Sequence, residues 1–170
     1  MDDPLPLTQL RSVAAFEGAA RDAIHALKYE GMFGVAPALA GLMVERWPAW
    51  GASIDLVVPI PLHPERERER GYNQSALLAE RLCEELDLPG DGEVLRRIRH
   101  TRPQVGLDRE QRKENVAGAF VALSEVADLN ILLIDDVCTT GATLSAAATA
   151  LLDCGARQVS AYCLAQPVEA

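Results

Sequence analysis

The residues whose types and spacing most clearly predict chemistry lie at positions 131–143. Four consecutive aliphatic residues, 131–134, predict a strand that is buried on both faces. Asp135 and Asp136 follow directly, where we expect the strand to leave the sheet. A short loop of small and hydroxylated residues comes next, and then a helical pattern that ends near Gly155. This order of strand, acid pair, small loop and helix predicts a site for a phosphorylated sugar.

The loop is the predicted phosphate site, because backbone N–H groups in a tight loop and at a helix start point towards one spot. Small residues allow a phosphate to approach the backbone closely, and threonine hydroxyls can donate further hydrogen bonds. The expected phosphate-binding residues are Thr139, Thr140, Gly141, Ala142 and Thr143. The carboxylates of Asp135 and Asp136 can accept hydrogen bonds from a vicinal diol, such as that of a ribose.

The segment from Asp135 to Thr143 resembles the phosphoribosyl-diphosphate (PRPP) motif of type I phosphoribosyltransferases. That motif is an aliphatic strand, two acids, two variable residues and then Thr-Gly-x-Thr or a close variant, and its acidic and glycine positions are all present here. The alternative is an ordinary buried strand whose end carries two solvated aspartates. The resemblance implies PRPP as the ligand and assigns Asp135 and Asp136 to the catalytic site.

Composition predicts an ordinary globular protein. The 170 residues are 49% hydrophobic and 24% charged, which fits one domain with a substantial core. A formal net charge of −9 argues against generic nucleic-acid binding. No apolar run approaches the roughly 20 residues of a membrane span, and the start of the sequence lacks a signal segment, so we expect a cytoplasmic location without membrane contact.

The four cysteines, Cys83, Cys138, Cys154 and Cys163, have no Cys-x-x-Cys spacing. We therefore expect reduced, mostly buried thiols and no structural zinc in this chain.

Two further segments carry basic residues. In the alternating run at 65–70, Arg70 is the predicted diphosphate ligand because it precedes a glycine and a helix start, whereas Arg66 and Arg68 are expected to face solvent. Lys28 is likewise expected to be a solvated surface lysine.

The second basic segment, 96–113, holds seven of the sixteen basic residues. A mobile loop there is predicted to bring Arg102 over the diphosphate as a catalytic residue, the alternative being a flexible basic surface loop. Asp108 is expected to cap a short helix, and residues 118–121 are expected to return to the sheet.

The remaining pattern predicts an alternation of helices and strands. Helices are predicted from about 20 to 28, from 37 to 47 and from about 75, the last capped by Asn73 or Ser75. Strands are predicted at 13–16, 55–58 and 158–164, the last completing a β-α-β unit with the motif helix.

Beyond the loop, the chain resembles the ComF family of bacterial phosphoribosyltransferase-like proteins over residues 12–164. The segments that carry this resemblance are 27–29, 58–62, 68–75, 101–104 and 112–120. The family is related to the transferase domain of glutamine PRPP amidotransferase and is implicated in natural transformation. Many of its members begin with a four-cysteine zinc ribbon, which this chain does not contain.

The resemblance implies an α/β protein with the type I phosphoribosyltransferase fold: a mostly parallel twisted sheet flanked by helices, with a small N-terminal hood. We expect a single domain, 1–170, with a loose lead-in at 1–10, hood and first helices at 11–51 and the core at 52–170.

The expected activity is transfer of a phosphoribosyl group from PRPP, with magnesium arriving on the ligand and no dedicated metal ligands in the protein. One alternative is a non-catalytic sensor of PRPP or a nucleotide. The other is an interaction module for a DNA-uptake helicase or another DNA-processing protein. The sequence leaves the acceptor and the oligomeric state open.

Overall fold

A parallel sheet of four strands forms the centre of the computed structural model, which describes residues 5–50, 52–101, 109–123 and 126–167. The strands in the described residues are β1 (Leu10–Ala15), β2 (Leu56–Pro59), β3 (Leu95–Arg97), β4 (Phe120–Ala122), β5 (Asn130–Val137) and β6 (Gln158–Gln166). The central sheet has the order β1-β6-β5-β2, with every neighbouring pair parallel. The predicted α/β class with a mostly parallel sheet is therefore confirmed.

The helices cover both faces of this sheet. They are α1 (Gly18–Tyr29), α2 (Ala36–Glu45), α3 (Pro64–Arg70), α4 (Gln74–Leu86), α5 (Arg109–Val116) and α6 (Ala142–Asp153), with a short 3-10 helix at Phe33–Val35. None of the helices in the described ranges is both long and apolar enough to cross a bilayer.

Strand β5 is buried on both faces, as its sequence predicts, because it lies between β6 and β2. Ile131 and Leu133 pack in the core cluster beneath α6, whereas Leu132 and Ile134 pack in the cluster formed with α1, α2 and α4. All four side chains are at most 1% exposed. Each contributes about 1.5–3 kcal/mol by burial, so this strand anchors the polar residues that follow it.

The N-terminal segment belongs more closely to the sheet than the sequence predicts. Strand β1 pairs with β6 and forms one edge of the central sheet, and it begins before the strand predicted at 13–16. The preceding residues are also hydrogen-bonded to β6: the Thr8 N–H donates to the Val159 carbonyl at 2.8 Å. The prediction of a loose lead-in is thus wrong for residues 8–10, because an edge strand satisfies backbone groups that would otherwise need water.

The prediction that residues 118–121 return to the central sheet is wrong. Strand β4 pairs with β3 in a separate antiparallel ribbon, with Arg97 opposite Phe120. The outer side of β2 is bonded to another segment, because the Val57 N–H donates to the Pro89 carbonyl at 2.8 Å and the Asp91 N–H donates to the Val57 carbonyl at 3.0 Å. The ribbon and α5 instead add Leu95, Val116 and Phe120 to the core beneath α6.

The four cysteines are free thiols. Cys138 and Cys163 are buried, Cys83 is half-buried and Cys154 is exposed, so the prediction of mostly buried thiols is confirmed for two of the four and wrong for Cys154.

Candidate functional site

A cavity of about 410 Å³ opens at the carboxyl end of β5. Its polar wall combines the acid pair, part of the loop after β5 and several cations. These polar lining residues include Lys28, Arg66, Arg70, Arg97, Asp135, Asp136, Thr139 and Thr143. This is the edge at which parallel α/β sheets hold their ligands, because the connections that leave the carboxyl ends of the strands surround a crevice there.

Asp135 and Asp136 lie within β5 and not beyond it. The strand continues to Val137, with Asp135 opposite Cys163 of β6, so the prediction that the chain leaves the sheet at the acids is wrong. The two residues are only 8% and 2% exposed. Polar partners make this burial possible, and they come from helices that are distant in sequence.

Each carboxylate has its own partners. The Ser75 hydroxyl at the start of α4 donates to Asp135 Oδ1 at 2.9 Å, and the backbone N–H of Asp136 donates to the same oxygen at 2.9 Å. The Lys28 ammonium lies 2.7 Å from Asp136 Oδ2. The backbone N–H of Val137 donates to Asp136 Oδ1 at 2.8 Å. The acid pair is therefore held in one orientation by α1, α4 and its own strand.

Burial changes the acid–base properties of this group. Removal from water and the neighbouring Asp136 charge raise the pKa of Asp135 to about 7, although Lys28 and the Ser75 hydrogen bond act in the opposite direction. Burial lowers the pKa of Lys28, but attraction to Asp136 and Asp135 outweighs it, and the net pKa is raised. Lys28 is therefore a cation at neutral pH, and the raised pKa of Asp135 makes its protonated form accessible near neutral pH. Such a carboxyl can both accept and donate hydrogen bonds to a diol.

Lys28 is a site residue that the sequence reasoning assigned to solvent. Its side chain is 22% exposed and lines the cavity. The sequence did indicate which face of α1 carries Lys28. Ile24 and Leu27 form the buried stripe of α1, and Lys28 is four residues after Ile24, on the same helix face. A lysine at such a position extends towards the sheet, where the buried acids lie.

The loop after β5 leads directly into α6. Gly141 has φ +76°, a left-handed conformation that favours glycine, and it precedes the first residue of the helix without a side-chain cap bond. Thr140 Oγ1 accepts a 3.4 Å hydrogen bond from the Ala142 N–H, and the Gly141 N–H bonds to Cys138. Some of the expected phosphate-binding amides are thus directed at the loop itself.

The space at the loop is narrow. A second cavity of about 30 Å³ is bounded by Asp135, Gly141 and Ala142 among others, and Thr139 and Thr143 line both cavities. Leu5 lies over Gly141, so that a Cβ at this glycine would come within 2.7 Å of the leucine Cδ1. Four of the five predicted loop residues therefore line the narrow cavity, two of them also line the larger one, and Thr140 lines neither.

Arg66, Arg70 and Arg97 line the larger cavity, as do Arg21 and Lys28 of α1. Arg70 donates a hydrogen bond to Gln74 Oε1, and its guanidinium carbon lies 5.6 Å from the centre of the Tyr29 ring. Arg66, expected to face solvent, is half-buried and lines the cavity because α3 places it one helical turn before Arg70. Arg68 is exposed, as predicted.

Arg97 belongs to this basic wall and was not singled out from the sequence. It is 7% exposed, lies 5.4 Å from the Phe120 ring centre and donates to the Thr101 hydroxyl. Burial, and then the nearby charge of Arg66, lower its pKa. The pairing of β3 with β4 places Arg97 at the cavity, and no local sequence pattern predicted that pairing. Arg102, the predicted catalytic residue of the basic loop, lies outside the described residues.

Apolar and aromatic side chains also line the cavity. Phe16, Ile24, His25 and Tyr29 line it, all from α1 or the turn before it. Flat side chains of this kind can pack against a planar ligand group. The cavity therefore combines cationic, acidic and aromatic side chains, and Tyr29 lies against Arg70.

Comparison with known proteins gives one family. Residues 73–169 match the phosphoribosyl transferase domain family. Competence protein F of Haemophilus influenzae is 35% identical over 115 residues, which are 66% of this chain and 50% of that protein. The DNA utilization protein YhgH of Salmonella typhi is 33% identical over 169 residues, 96% of this chain and 74% of that protein. The chain thus spans half of the first relative and about three quarters of the second.

Among solved structures, the fold resembles glutamine PRPP amidotransferase from B. subtilis in complex with ADP and GMP. The TM-score is 0.51 at 20% identity, with 75% of this chain and 26% of that chain covered. This likeness concerns the fold alone. It agrees with the four-stranded parallel sheet described above.

Proposed function

The chain belongs to the ComF family of proteins with a phosphoribosyltransferase domain, and we propose that it binds PRPP with magnesium and transfers the 5-phosphoribosyl group to a nucleophile. The names of its relatives refer to competence and DNA utilization. We therefore propose that the reaction or the binding serves the processing of DNA that has been taken up, with a helicase or another DNA-processing protein as the macromolecular partner. A cytoplasmic location is part of this proposal, because four free cysteines fit a reducing compartment.

One observation carries the proposal: a buried, oriented acid pair lies between a glycine-containing loop at a helix start and a wall of arginines, around one cavity. The loop 139–143 binds the 5-phosphate through its amides and hydroxyls. Asp135 and Asp136 accept hydrogen bonds from the ribose hydroxyls. Arg70, with Arg66 and Arg97, binds the diphosphate, for which a planar guanidinium is well suited.

The chemistry requires little from the protein beyond positioning and charge balance. The bond between ribose C1 and the diphosphate oxygen breaks, its electron pair leaves with diphosphate, and the nucleophile forms the new bond to C1. Positive charge develops on the ribose as the bond breaks, and the acid pair lies where it can stabilise that charge. The arginines stabilise the leaving diphosphate, and a closed cavity excludes water that would otherwise hydrolyse the sugar.

Magnesium is implied by the fold family, and the donor chemistry of the site fits it. Carboxylates are hard oxygen donors of the kind that magnesium prefers, and Asp135 and Asp136 would favour the ion. Because Asp136 Oδ2 is already paired with Lys28, we expect the ion to be held mainly by the diphosphate. When bound, magnesium supplies neutralising charge to the diphosphate.

A second candidate function has one observation in its favour. Ser75, Lys28 and two backbone amides already occupy oxygens of the acid pair, so a ribose must displace or share these partners. A site that is satisfied without ligand fits a sensor, in which PRPP or a nucleotide changes the contacts between α1 and β5. In that case binding occurs and no phosphoribosyl transfer follows.

Calorimetric titration with PRPP and magnesium tests binding. We expect saturable binding by the wild type, its loss when Asp135 and Asp136 are both replaced by asparagine, and unchanged affinity in the control Arg68→Ala. Circular dichroism verifies that the double variant remains folded. Equal affinity in the double variant would refute the assignment of the acid pair.

Release of diphosphate from PRPP, measured with a panel of nucleobases and amines, separates the two candidates. Release that depends on an added acceptor supports transfer. Tight binding without release at any acceptor supports the sensor.

A further inference from the structure

A second cluster of chemically active side chains lies outside the acid-pair site. His63, Glu65 and His100 come together where α3 begins and where the chain leaves β3. The two imidazole rings are stacked, with their centres 4.9 Å apart and their planes inclined by 20°. One potential ligand atom from each of the three residues lies within 4.8 Å of the other two. Two of the three histidines in the chain are thus in one cluster.

The carboxylate of Glu65 connects the two rings. Its Oε2 lies 3.1 Å from His100 Nδ1 and 3.9 Å from His63 Nδ1. Bond lengths of 2.0–2.1 Å in a tetrahedral site place neighbouring ligand atoms about 3.3 Å apart. The Glu65–His100 pair already has this spacing. The other two pairs must come closer by about 0.5–1.5 Å, and Glu65 and His100 are free to turn because their side chains are 52% and 53% exposed.

We propose that His63, Glu65 and His100 form a binding site for a divalent transition metal of the zinc type, with water completing the coordination. Two imidazoles and one carboxylate are a ligand set that zinc commonly takes in three-ligand sites. Magnesium and calcium prefer sites made of oxygen alone, so the ion that accompanies PRPP is not expected here.

The surrounding charges are compatible with a cation. The positive end of the α3 dipole and the charge of Arg66 both disfavour a bound cation, because His63 is the N-cap residue of α3 and Arg66 lies near the start of that helix. Glu65 and Glu67 in the first turn offset this field. His63 Nδ1 accepts a long, 3.4 Å hydrogen bond from the Glu65 N–H, a weak contact that a metal can replace.

The position of the site gives the metal a defined role. It connects the start of α3, which carries Arg66 and Arg70, to the segment that follows Arg97 of β3. These three arginines line the cavity of the acid pair. A bound metal would therefore hold the two elements of the basic wall in a fixed relation, without contacting the ligand itself.

Without a metal, the same side chains make a helix cap and a surface ion pair, and metal titration distinguishes the two possibilities. Chelator-treated protein without PRPP is titrated calorimetrically with Zn²⁺ in the presence of excess Mg²⁺. We expect one zinc ion per chain. His100→Ala and Glu65→Gln are each expected to weaken binding by at least about 100-fold, since even the loss of residues that only support a ligand costs 10–100-fold.

The matched controls are His25→Ala, which removes the third histidine, and Cys154→Ser, which removes the exposed thiol. Both are expected to bind zinc like the wild type. His100 is exposed, so its replacement leaves the fold intact, and circular dichroism verifies this for each variant. The proposal is overturned if the wild type does not bind zinc, if magnesium prevents binding, or if His100→Ala binds as tightly as the controls. Because PRPP is absent, this result is independent of the proposed transferase function.

Discussion

Replacing Asp135 with asparagine is expected to stabilise the folded protein at neutral and alkaline pH while it removes PRPP binding. The carboxyl is 8% exposed, lies beside Asp136 and has a pKa of about 7 instead of its usual 3.8. In the unfolded chain it releases its proton near pH 4, whereas in the folded protein it retains the proton until about pH 7. Between these values the folded state binds more protons, so the free energy of unfolding of the wild type falls as the pH rises.

The structure also gives the size of the effect. At 1.36 kcal/mol per pKa unit, ionisation of Asp135 costs the folded wild type up to about 4 kcal/mol by pH 8. Asparagine has nothing to ionise and retains an oxygen that can accept the 2.9 Å hydrogen bond from Ser75. The stability difference between Asp135→Asn and the wild type should therefore grow from pH 4 to pH 7 and stay constant above it.

Urea unfolding between pH 4 and pH 9, in buffer that contains a chelator, measures this difference. Asp153→Asn, which changes an exposed carboxylate at the end of α6, is the control and should stay within about 0.5 kcal/mol of the wild type at each pH. The reasoning is refuted if Asp135→Asn and the wild type have parallel pH profiles, or if the variant is less stable than the wild type at pH 8.

Three further outcomes follow from the geometry. Gly141→Ala should destabilise the protein by about 1–3 kcal/mol in thermal unfolding, because φ is +76° and the new Cβ would contact Leu5; an unchanged melting temperature would contradict the described loop. Arg70→Ala should weaken PRPP binding by about 10-fold or more in calorimetry, since a hydrogen bond to a charged group is worth roughly 1.5–3 kcal/mol. Arg68→Ala, which changes an exposed residue, should leave PRPP binding unchanged. Equal loss of affinity in both variants would argue against a specific contact by Arg70. Tyr162→Phe should lower the free energy of unfolding by about 1–2 kcal/mol without changing PRPP affinity. The reason is that the buried Tyr162 hydroxyl lies 2.9 and 3.0 Å from two main-chain carbonyls at the end of α2. Altered PRPP affinity would indicate a role beyond packing.

Local sequence patterns predicted those helices, strands and caps that depend on neighbouring residues alone. The aliphatic run of β5, the helix of α6 and the Asn73 cap of α4 were all predictable, because periodicity and capping act over a few residues. Boundaries were less certain: β1 begins at Leu10 and not near residue 13, since pairing with β6 decides where an edge strand starts.

The sequence predicted the contiguous motif and Arg70, which also lines the larger cavity. Asp135, Asp136, Thr139 and Thr143 of this motif line the larger cavity, whereas Gly141 and Ala142 line only the narrow one and Thr140 lines neither. Lys28 and Arg97 come from distant elements, and their burial depends on which strand or helix packs against them. The helical spacing of Lys28 indicated its face but not its buried acidic partners, and no local pattern marked Arg97, so both escaped prediction.

The sequence by itself determined the order of strand, acids, loop and helix, and with it the expected ligand chemistry, because consecutive residues are placed by backbone geometry alone. Only the tertiary structure decided the charge of that site. Ser75 and Lys28 reach the acids across 60 and 108 positions of the chain, and burial then raises the pKa of Asp135. Long-range packing fixes both the partners and the local dielectric, and neither is encoded in the spacing of neighbouring residues.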